Sequence, residues 1–413
     1  MNLQLAHDGA AIQQRVLITG SKSETNRLLI LQALFDGLTI DNISNSDDAA
    51  VMQKALVSDQ EVVDIHHAGT AMRFLTAYFA TQPGRKTTLT GSARMQERPV
   101  GILVDALRQL GADIQYLKSD GCPPLTIIGK AISKKKVTLD ANVSSQYISA
   151  LMLIAARLPQ GLEIHLKGKI TSVPYINMTL SLLKEVGIKG TFEGQNIKIQ
   201  PLHELSEKKN LTVESDWSSA SYYYSIAALA PGSDIQISSY KRDSLQGDVA
   251  LAGIYEQLGV VSTFDGVHLN LRSSQNFELP KQLTLDLSNS PDIAQTIAVT
   301  CLGLGVSCHL TGLHTLKIKE TDRLVALQIE ISKLGGDISV SADSLTLASQ
   351  RTPLTERVAI ATYHDHRMAM AFAPLALKVP LLIKDAGVVS KSYPDFWKDL
   401  ETLGFETEAI IIA

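Results

Sequence analysis

Five times along this chain a helical segment ending in an apolar residue runs into a glycine and then into a strand-like segment. The copies run from Leu103 through Gly111 to Ile114, Leu180 through Gly187 to Phe192, Leu251 through Gly259 to Phe264, Leu324 through Gly335 to Val340, and Phe396 through Gly404 to Thr407. Each reads as a helix whose C-terminal glycine takes the left-handed turn that leads into a strand. Between them lie segments opened by polar groups and continued by small apolar residues. The openings are Ser23-Glu24-Thr25-Asn26, Gly69-Thr70, Ser144-Ser145-Gln146, Ser218-Ser219, Ser290-Pro291-Asp292 and His364-Asp365-His366. Runs such as Ala150-Leu151-Met152-Leu153-Ile154-Ala155-Ala156 and Ile297-Ala298-Val299-Thr300-Cys301-Leu302 are apolar nearly all round. Such helices belong inside a domain and not on its surface. Six openings predict six copies of one α/β unit.

At 413 residues the chain exceeds the size at which one hydrophobic core keeps growing, so two domains are expected. No Pro/Gly/Ser-rich linker separates them. The chain passes from a strand at Leu211-Thr212-Val213 into Glu214-Ser215-Asp216 and a new helix, which reads as the crossover. A short first strand near Leu3 to Leu5 is expected to pair with the C-terminal half. No apolar run approaches the roughly 20 residues needed to span a bilayer, and Met1-Asn2-Leu3-Gln4 opens no signal-peptide pattern. A soluble, cytoplasmic chain is the expectation, with no membrane partner. Cys122, Cys301 and Cys308 have neither metal-ligand spacing nor a disulfide framework and read as reduced.

Charge is local in this chain. With 38 Lys+Arg against 42 Asp+Glu the formal net charge is -4, which excludes the global basic field that attracts nucleic acid. Cations concentrate instead at Ser21-Lys22-Ser23 with Arg27, at Arg94 through Arg98, at Lys317 through Arg323, and at His366-Arg367 with Lys391. Each stretch adjoins a helix or the loop before one, and unpaired N–H groups at helix starts add to an anion-attracting field. Taken singly, each Ser, Thr or Asp at these openings is an N-cap. Taken together with the arginines they predict an anion site. Gly20-Ser21-Lys22-Ser23 lacks the Gly-x-x-x-x-Gly-Lys-Ser/Thr spacing that wraps a nucleotide triphosphate, and no strand is followed by Gly-x-Gly-x-x-Gly. ATP and NAD are therefore disfavoured, no cofactor is expected, and a phosphate monoester or carboxylate fits a Lys and hydroxyls at a helix start. In Lys317-Ile318-Lys319-Glu320-Thr321-Asp322-Arg323 either Thr321 or Asp322 can cap a helix, and Glu320 sits between cations that would tune a proton-transfer group. His364-Asp365-His366-Arg367 and His66-His67 pair adjacent histidines, which chelate poorly without further ligands, so no metal is expected.

The motifs Gly20-Ser-Lys-Ser-Glu-Thr-Asn-Arg27, Ala68-Gly-Thr-Ala-Met-Arg73, Arg94-Met-Gln-Glu-Arg-Pro99, Ser144-Ser-Gln146, Lys319-Glu-Thr-Asp-Arg323, Asp365-His-Arg-Met-Ala-Met370 and Lys391-Ser-Tyr-Pro-Asp395 stand in the order seen in the 5-enolpyruvylshikimate-3-phosphate synthase family. The chain resembles that family over essentially its whole length. The resemblance implies an α/β fold of two similar domains, each of three repeated α/β units with buried helices, an inside-out α/β barrel. It implies a first domain of residues 20–213 on the shikimate-3-phosphate side. Residues 1–19 with 214–413 would form a second domain on the phosphoenolpyruvate side, with the active site in the cleft between them. It also implies transfer of the enolpyruvyl group of phosphoenolpyruvate to the 5-hydroxyl of shikimate-3-phosphate by a monomer. By the same resemblance Lys22, Asp292 and Glu320 are catalytic. Lys22, Ser23, Arg27, Ser144, Ser145, Gln146, Ser172, Tyr175, Asp292 and Lys319 match shikimate-3-phosphate positions. Lys22, Gly69, Thr70, Arg98, Gln146, Glu320, Arg323, His366, Arg367 and Lys391 match phosphoenolpyruvate positions.

The chain departs from the family pattern at His67 and Thr315, each usually Asn, at Phe74, usually Pro, and at Lys317, commonly Arg. None of these is an acid/base group. The related transferase that acts on a UDP-linked amino sugar carries a reactive Cys in the loop corresponding to Arg94 through Arg98, where this chain has none. A non-catalytic protein that merely holds a phosphorylated metabolite would have no physical need for Asp292 and Glu320 among cations.

Overall fold

The structure, a computed structural model, describes residues 1–140, 144–170, 173–349 and 353–410. The chain forms two compact units, Gly20–Val213 and Met1–Thr19 together with Glu214–Ala413. Among the described residues no helix is long and apolar enough to cross a membrane.

The unit Gly20–Val213 holds α1 (Lys22–Leu34), α2 (Asp47–Val57), α3 (Gly69–Ala80), α4 (Gly101–Leu110), α5 (Ser145–Ala155) and α6 (Val173–Val186). The other holds α7 (Trp217–Leu229), α8 (Leu251–Glu256), α9 (Ala294–Leu304), α10 (Arg323–Lys333), α11 (His366–Phe372) and α12 (Phe396–Thr402). The odd-numbered helices begin at the six polar openings, and they are the ones buried almost all round. Three consecutive tyrosines in α7, Tyr222, Tyr223 and Tyr224, are all buried. Three successive side chains fan across about 200° of a helix, so only a helix enclosed by protein can bury them all. Their hydroxyls then need partners. Tyr223 reaches Tyr393 at 2.6 Å and Tyr224 reaches Ser262 at 2.6 Å. Small hydroxyls let the buried helices approach closely while satisfying one another, as Ser225 and Thr300 do at 2.7 Å and Ser149 and Thr179 at 2.9 Å.

Each complete repeat is a strand, a buried helix, a parallel strand, an outer helix and an antiparallel hairpin. In the repeat around α3, Val62–Asp64 lies parallel to Lys86–Thr90, which pairs antiparallel with Leu125–Ile128, which in turn pairs with Asp113–Tyr116. The same order recurs around α5 and α9. Two repeats are completed by the amino terminus. Gln13–Val16 supplies the first strand beside Asp234–Ser238, and Asn2–Ala6 sits between Leu381–Ile383 and Glu406–Ile410. The first strand thus pairs with the C-terminal half as expected.

Six equal copies are not what forms. Five repeats have four-stranded sheets, and the one around α1 has only a parallel pair, Leu38–Asp41 with Lys209–Thr212. The outer helices α4, α6, α8, α10 and α12 run into Gly111, Gly187, Gly259, Gly335 and Gly404, all at positive φ. That conformation lets the chain turn back into the next strand at no Cβ cost. α2 ends instead at Ser58 in an extended conformation, and no hairpin follows. The glycine count of five had already separated the sixth copy.

Gly20, at the head of α1, has no Cβ for a different reason. A methyl there would lie 1.8 Å from the Asn42 backbone oxygen and 2.8 Å from Val213. Gly20→Ala is therefore expected to lower stability by about 1–3 kcal/mol, because the clash is with backbone that has little room to move. Thermal denaturation measures it, and an unchanged Tm would show that this crossover is loosely packed.

Candidate active site: two clusters at buried-helix starts

In the unit Gly20–Val213 the starts of α1, α3 and α5 carry the motif residues. Lys22 is the first residue of α1, with its Nζ 4.0 Å from the buried Asp48 carboxylate. Ser144 caps α5 by accepting from the Gln146 N–H, and the Gln146 side chain donates to Thr70 Oγ1 at 3.2 Å, joining the starts of α5 and α3. Gly69 lets a guanidinium lie against the first turn of α3, since a Cβ there would sit 2.7 Å from Arg98 NH1. Pro99, next in the chain, has its carbonyl held by Arg73 at 2.9 Å and by Tyr147 at 2.8 Å. These two contacts anchor the Arg98 loop to α3 and α5.

Arg27 is buried one turn into α1. It donates to Thr179 Oγ1 at 2.7 Å, to the Ser23 carbonyl at 2.8 Å and to Ser149 Oγ at 3.0 Å, and its guanidinium lies over the rings of Phe74 and Tyr175. Burial pushes its pKa down to about 10, opposed by Tyr175 and Glu24, which leaves it charged at neutral pH. Ser172 lies outside the described residues.

In the other unit the starts of α7, α9 and α11 meet around two arginines. Arg323, 2 % exposed, opens α10 and spreads its guanidinium over three carboxylates: Asp365 at 2.6 Å, Asp292 at 2.9 Å and Glu320 at 3.0 Å. Arg367, in the first turn of α11, donates to the Asp292 carbonyl at 3.2 Å, to the Asp292 carboxylate at 3.4 Å and to Ser218 Oγ at 3.1 Å. Asp322 caps α10 through the Leu324 and Val325 N–H groups, and Asp365 caps α11 through the Arg367 N–H. Lys391 Nζ donates to the His364 carbonyl at 2.7 Å.

Electrostatics in this cluster are decided by pairing. Burial alone would favour the neutral acid at Asp292. Lys319, Arg367 and Arg323 outweigh it and hold Asp292 well below the usual carboxylate range. Burial likewise disfavours the charged form of Arg323, but Asp365, Glu320 and Asp292 raise its pKa. Asp292 is thus held in its ionised form by three cations.

Several sequence expectations change in detail. Arg94 pairs with Glu97 at 2.9 Å on the surface, whereas Arg98 lies against the start of α3. Lys319 lies 3.4 Å from Asp292, while Arg323 pairs with Glu320 at 3.0 Å, so the lysine beside Glu320 in sequence faces another carboxylate. His364 and His366 do not converge. His364 is exposed beside Asp385 at 3.1 Å, while His366 is buried at the first position of α11. Among the described residues no group of three or more His, Cys, Asp or Glu is arranged to hold a metal ion. The four basic stretches also come with acids. Asp48, Asp365 and Asp248 stand beside Lys22, Arg323 and Arg367, so the local excess of positive charge is smaller than the linear sequence suggests. Sequence reasoning gave no role to Arg73, Tyr147, Asp48 or Asp248. Arg73 had a signal, its place in a quoted motif, whereas the others carry none outside the fold.

The comparisons agree with this architecture. Two solved structures share the fold over nearly the whole chain. An EPSP synthase from Acinetobacter baumannii matches with a TM-score of 0.79 at 20% identity, covering 99% of this chain and 100% of that one. The enolpyruvyl transferase NikO from Streptomyces tendae matches with a TM-score of 0.73 at 14% identity, covering 98% of each. The fold is that of the enolpyruvyl transferases. In sequence, the model of the family EPSP synthase (3-phosphoshikimate 1-carboxyvinyltransferase) matches residues 51–400. A 3-phosphoshikimate 1-carboxyvinyltransferase of Bacteroides fragilis is 47% identical over 95% of this chain and 96% of its own length. One of Shewanella sediminis is 34% identical over 95% and 97%. The chain belongs to the EPSP synthase family.

Proposed function

We propose that this chain transfers the enolpyruvyl group of phosphoenolpyruvate to the 5-hydroxyl of shikimate-3-phosphate, releasing phosphate, as a step of aromatic amino-acid biosynthesis. The observation that supports the mechanism is geometric: the Asp292 carboxylate, at the start of a buried helix, lies 3.4 Å from Lys319, 2.9 Å from Arg323 and 3.4 Å from Arg367. Asp292 takes the proton from the 5-hydroxyl as its oxygen bonds to C2 of phosphoenolpyruvate, while C3 gains a proton. The tetrahedral intermediate then loses a proton from C3 and breaks its C2–O bond to phosphate. Glu320 and Lys22 serve the proton transfers at C3. Both substrates are polyanions, so they need bidentate guanidinium groups and helix starts.

In this reading residues 20–213 form the shikimate-3-phosphate side, with Lys22, Ser23, Arg27, Ser144, Ser145, Gln146, Ser172 and Tyr175. Residues 1–19 with 214–413 form the phosphoenolpyruvate side, with Glu320, Arg323, His366, Arg367 and Lys391. Asp292 and Lys319 of that side reach shikimate-3-phosphate. Gly69, Thr70 and Arg98 of the first contribute to phosphoenolpyruvate, as do Lys22 and Gln146. The chain acts as a cytoplasmic monomer, checked by light scattering on the purified protein. The deciding assay is phosphate release with phosphoenolpyruvate and either shikimate-3-phosphate or UDP-N-acetylglucosamine. Turnover with the sugar nucleotide alone would overturn the proposal.

Arg367→Ala and Arg98→Ala test the substrate assignment. Each removes a charge-assisted contact worth roughly 1.5–3 kcal/mol, so KM for phosphoenolpyruvate is expected to rise about 10- to 100-fold, with a smaller change for shikimate-3-phosphate. Equal weakening of both substrates in steady-state kinetics would refute the assignment.

A further inference from the structure

Joined to Arg367 through one serine is a carboxylate with no part in the proton transfers above. Asp248 lies in a single turn of 3-10 helix, Gly247–Ala250, before α8, and is 5 % exposed. Its carboxylate accepts a hydrogen bond from Ser218 Oγ at 2.5 Å. The same Ser218 oxygen accepts from Arg367 NH2 at 3.1 Å, and Arg367 in turn donates to Asp292. Four side chains from four separate elements are thereby linked in one line: Asp248, Ser218, Arg367 and Asp292.

A serine hydroxyl has one proton and must point it somewhere. With Asp248 ionised the proton is committed to the carboxylate, which turns the Ser218 lone pairs toward the guanidinium. With any apolar residue at 248 the hydroxyl can rotate and point its proton at Arg367, which would repel the cation. We propose that Asp248 is a positioning residue that fixes, through Ser218, the orientation in which Arg367 meets phosphoenolpyruvate. This rests on the assignment of Arg367 to that substrate.

Electrostatics support the arrangement. Burial pushes the Asp248 pKa up to about 6, Arg367 and the Ser218 hydrogen bond pull it down, and Asp292 and Asp216 push it further up. Asp248 is therefore mainly ionised at neutral pH. Its folded pKa lies above the ordinary value of about 3.9, so the ionised group is a net cost to folding that grows as pH rises from about 4 to 6. A carboxylate retained for stability alone would not be placed so that its working form destabilises the fold.

The test compares Asp248→Ala, Asp248→Asn, Ser218→Ala and Arg367→Ala in the full chain, with both Michaelis constants, kcat and Tm measured for each. Asp248→Ala and Ser218→Ala are expected to raise KM for phosphoenolpyruvate about tenfold, the equivalent of one hydrogen bond to a charged group, with KM for shikimate-3-phosphate within about twofold of wild type. Asp248→Asn keeps an acceptor for the Ser218 hydroxyl and is expected to recover most of that affinity. Its kcat/KM profile should also lack the ionisation near pH 6 expected of the wild type. Asp248→Ala with a wild-type KM for phosphoenolpyruvate, beside a defective Arg367→Ala, overturns the relay alone. Arg367→Ala without a selective effect overturns the substrate assignment beneath it. If Asp248→Ala does not fold, Ser218→Ala and Asp248→Asn carry the same comparison.

Discussion

Asp292→Asn is expected to lower kcat by about two to four orders of magnitude while changing substrate affinity only modestly, since general acid–base catalysis is usually worth that much. The amide keeps the shape of the side chain and an oxygen for Arg323, 2.9 Å away in the native chain, but cannot take a proton. If Asp292 merely held cations in place, the substitution would instead lower Tm and leave kcat near normal. Single-turnover kinetics with calorimetry on the same sample separate the two, and near-native turnover would sink the proposed role.

Arg323→Ala should give the largest loss of stability of any single change in this unit, about 3–5 kcal/mol, because it strands buried carboxylates and not because it removes a strong bond. Asp365 is fully buried, and its contacts to Arg323 are 2.6 and 3.4 Å. Asp292 and Glu320 lose the same partner. In the native chain Asp292 has a depressed pKa, so its ionised form contributes stability at neutral pH that is lost as pH falls through the folded value. Without Arg323 the carboxylates protonate more readily, so the gap in Tm between variant and wild type should narrow as pH is lowered. Urea denaturation at neutral and mildly acidic pH checks both statements. A gap that is small at neutral pH would show that solvent reaches the cluster.

The repeat was legible because its two signals are local. A glycine after an outer helix needs nothing distant to take positive φ, as Gly111, Gly187, Gly259, Gly335 and Gly404 do. A helix without a polar face, such as α9, announces burial whatever covers it. The same signals, read strictly, set five glycine-ended outer helices against six buried helices, which matches the five four-stranded sheets and the one two-stranded pair. The candidate site was legible as a set of motifs, but not as a set of pairs. Lys319 and Glu320 are neighbours in sequence, yet the first meets Asp292 and the second Arg323. Lys391 turns to the His364 carbonyl, a backbone partner that no motif names.

The amino-acid sequence by itself determined where helices start and stop, which of them are enclosed, and which residue types gather at their openings. Those properties follow from backbone sterics, capping and the 3.6-residue period, each set within a few positions of the chain. Only the tertiary structure decided which charge faces which. Arg323 finds Asp365 42 positions away, and Arg367 finds Ser218 149 positions away. A buried ion's pKa depends on neighbours a few ångströms distant in space, so the ionised state of Asp292 and the upward shift of Asp248 exist only once α7, α9 and α11 have brought their first turns together.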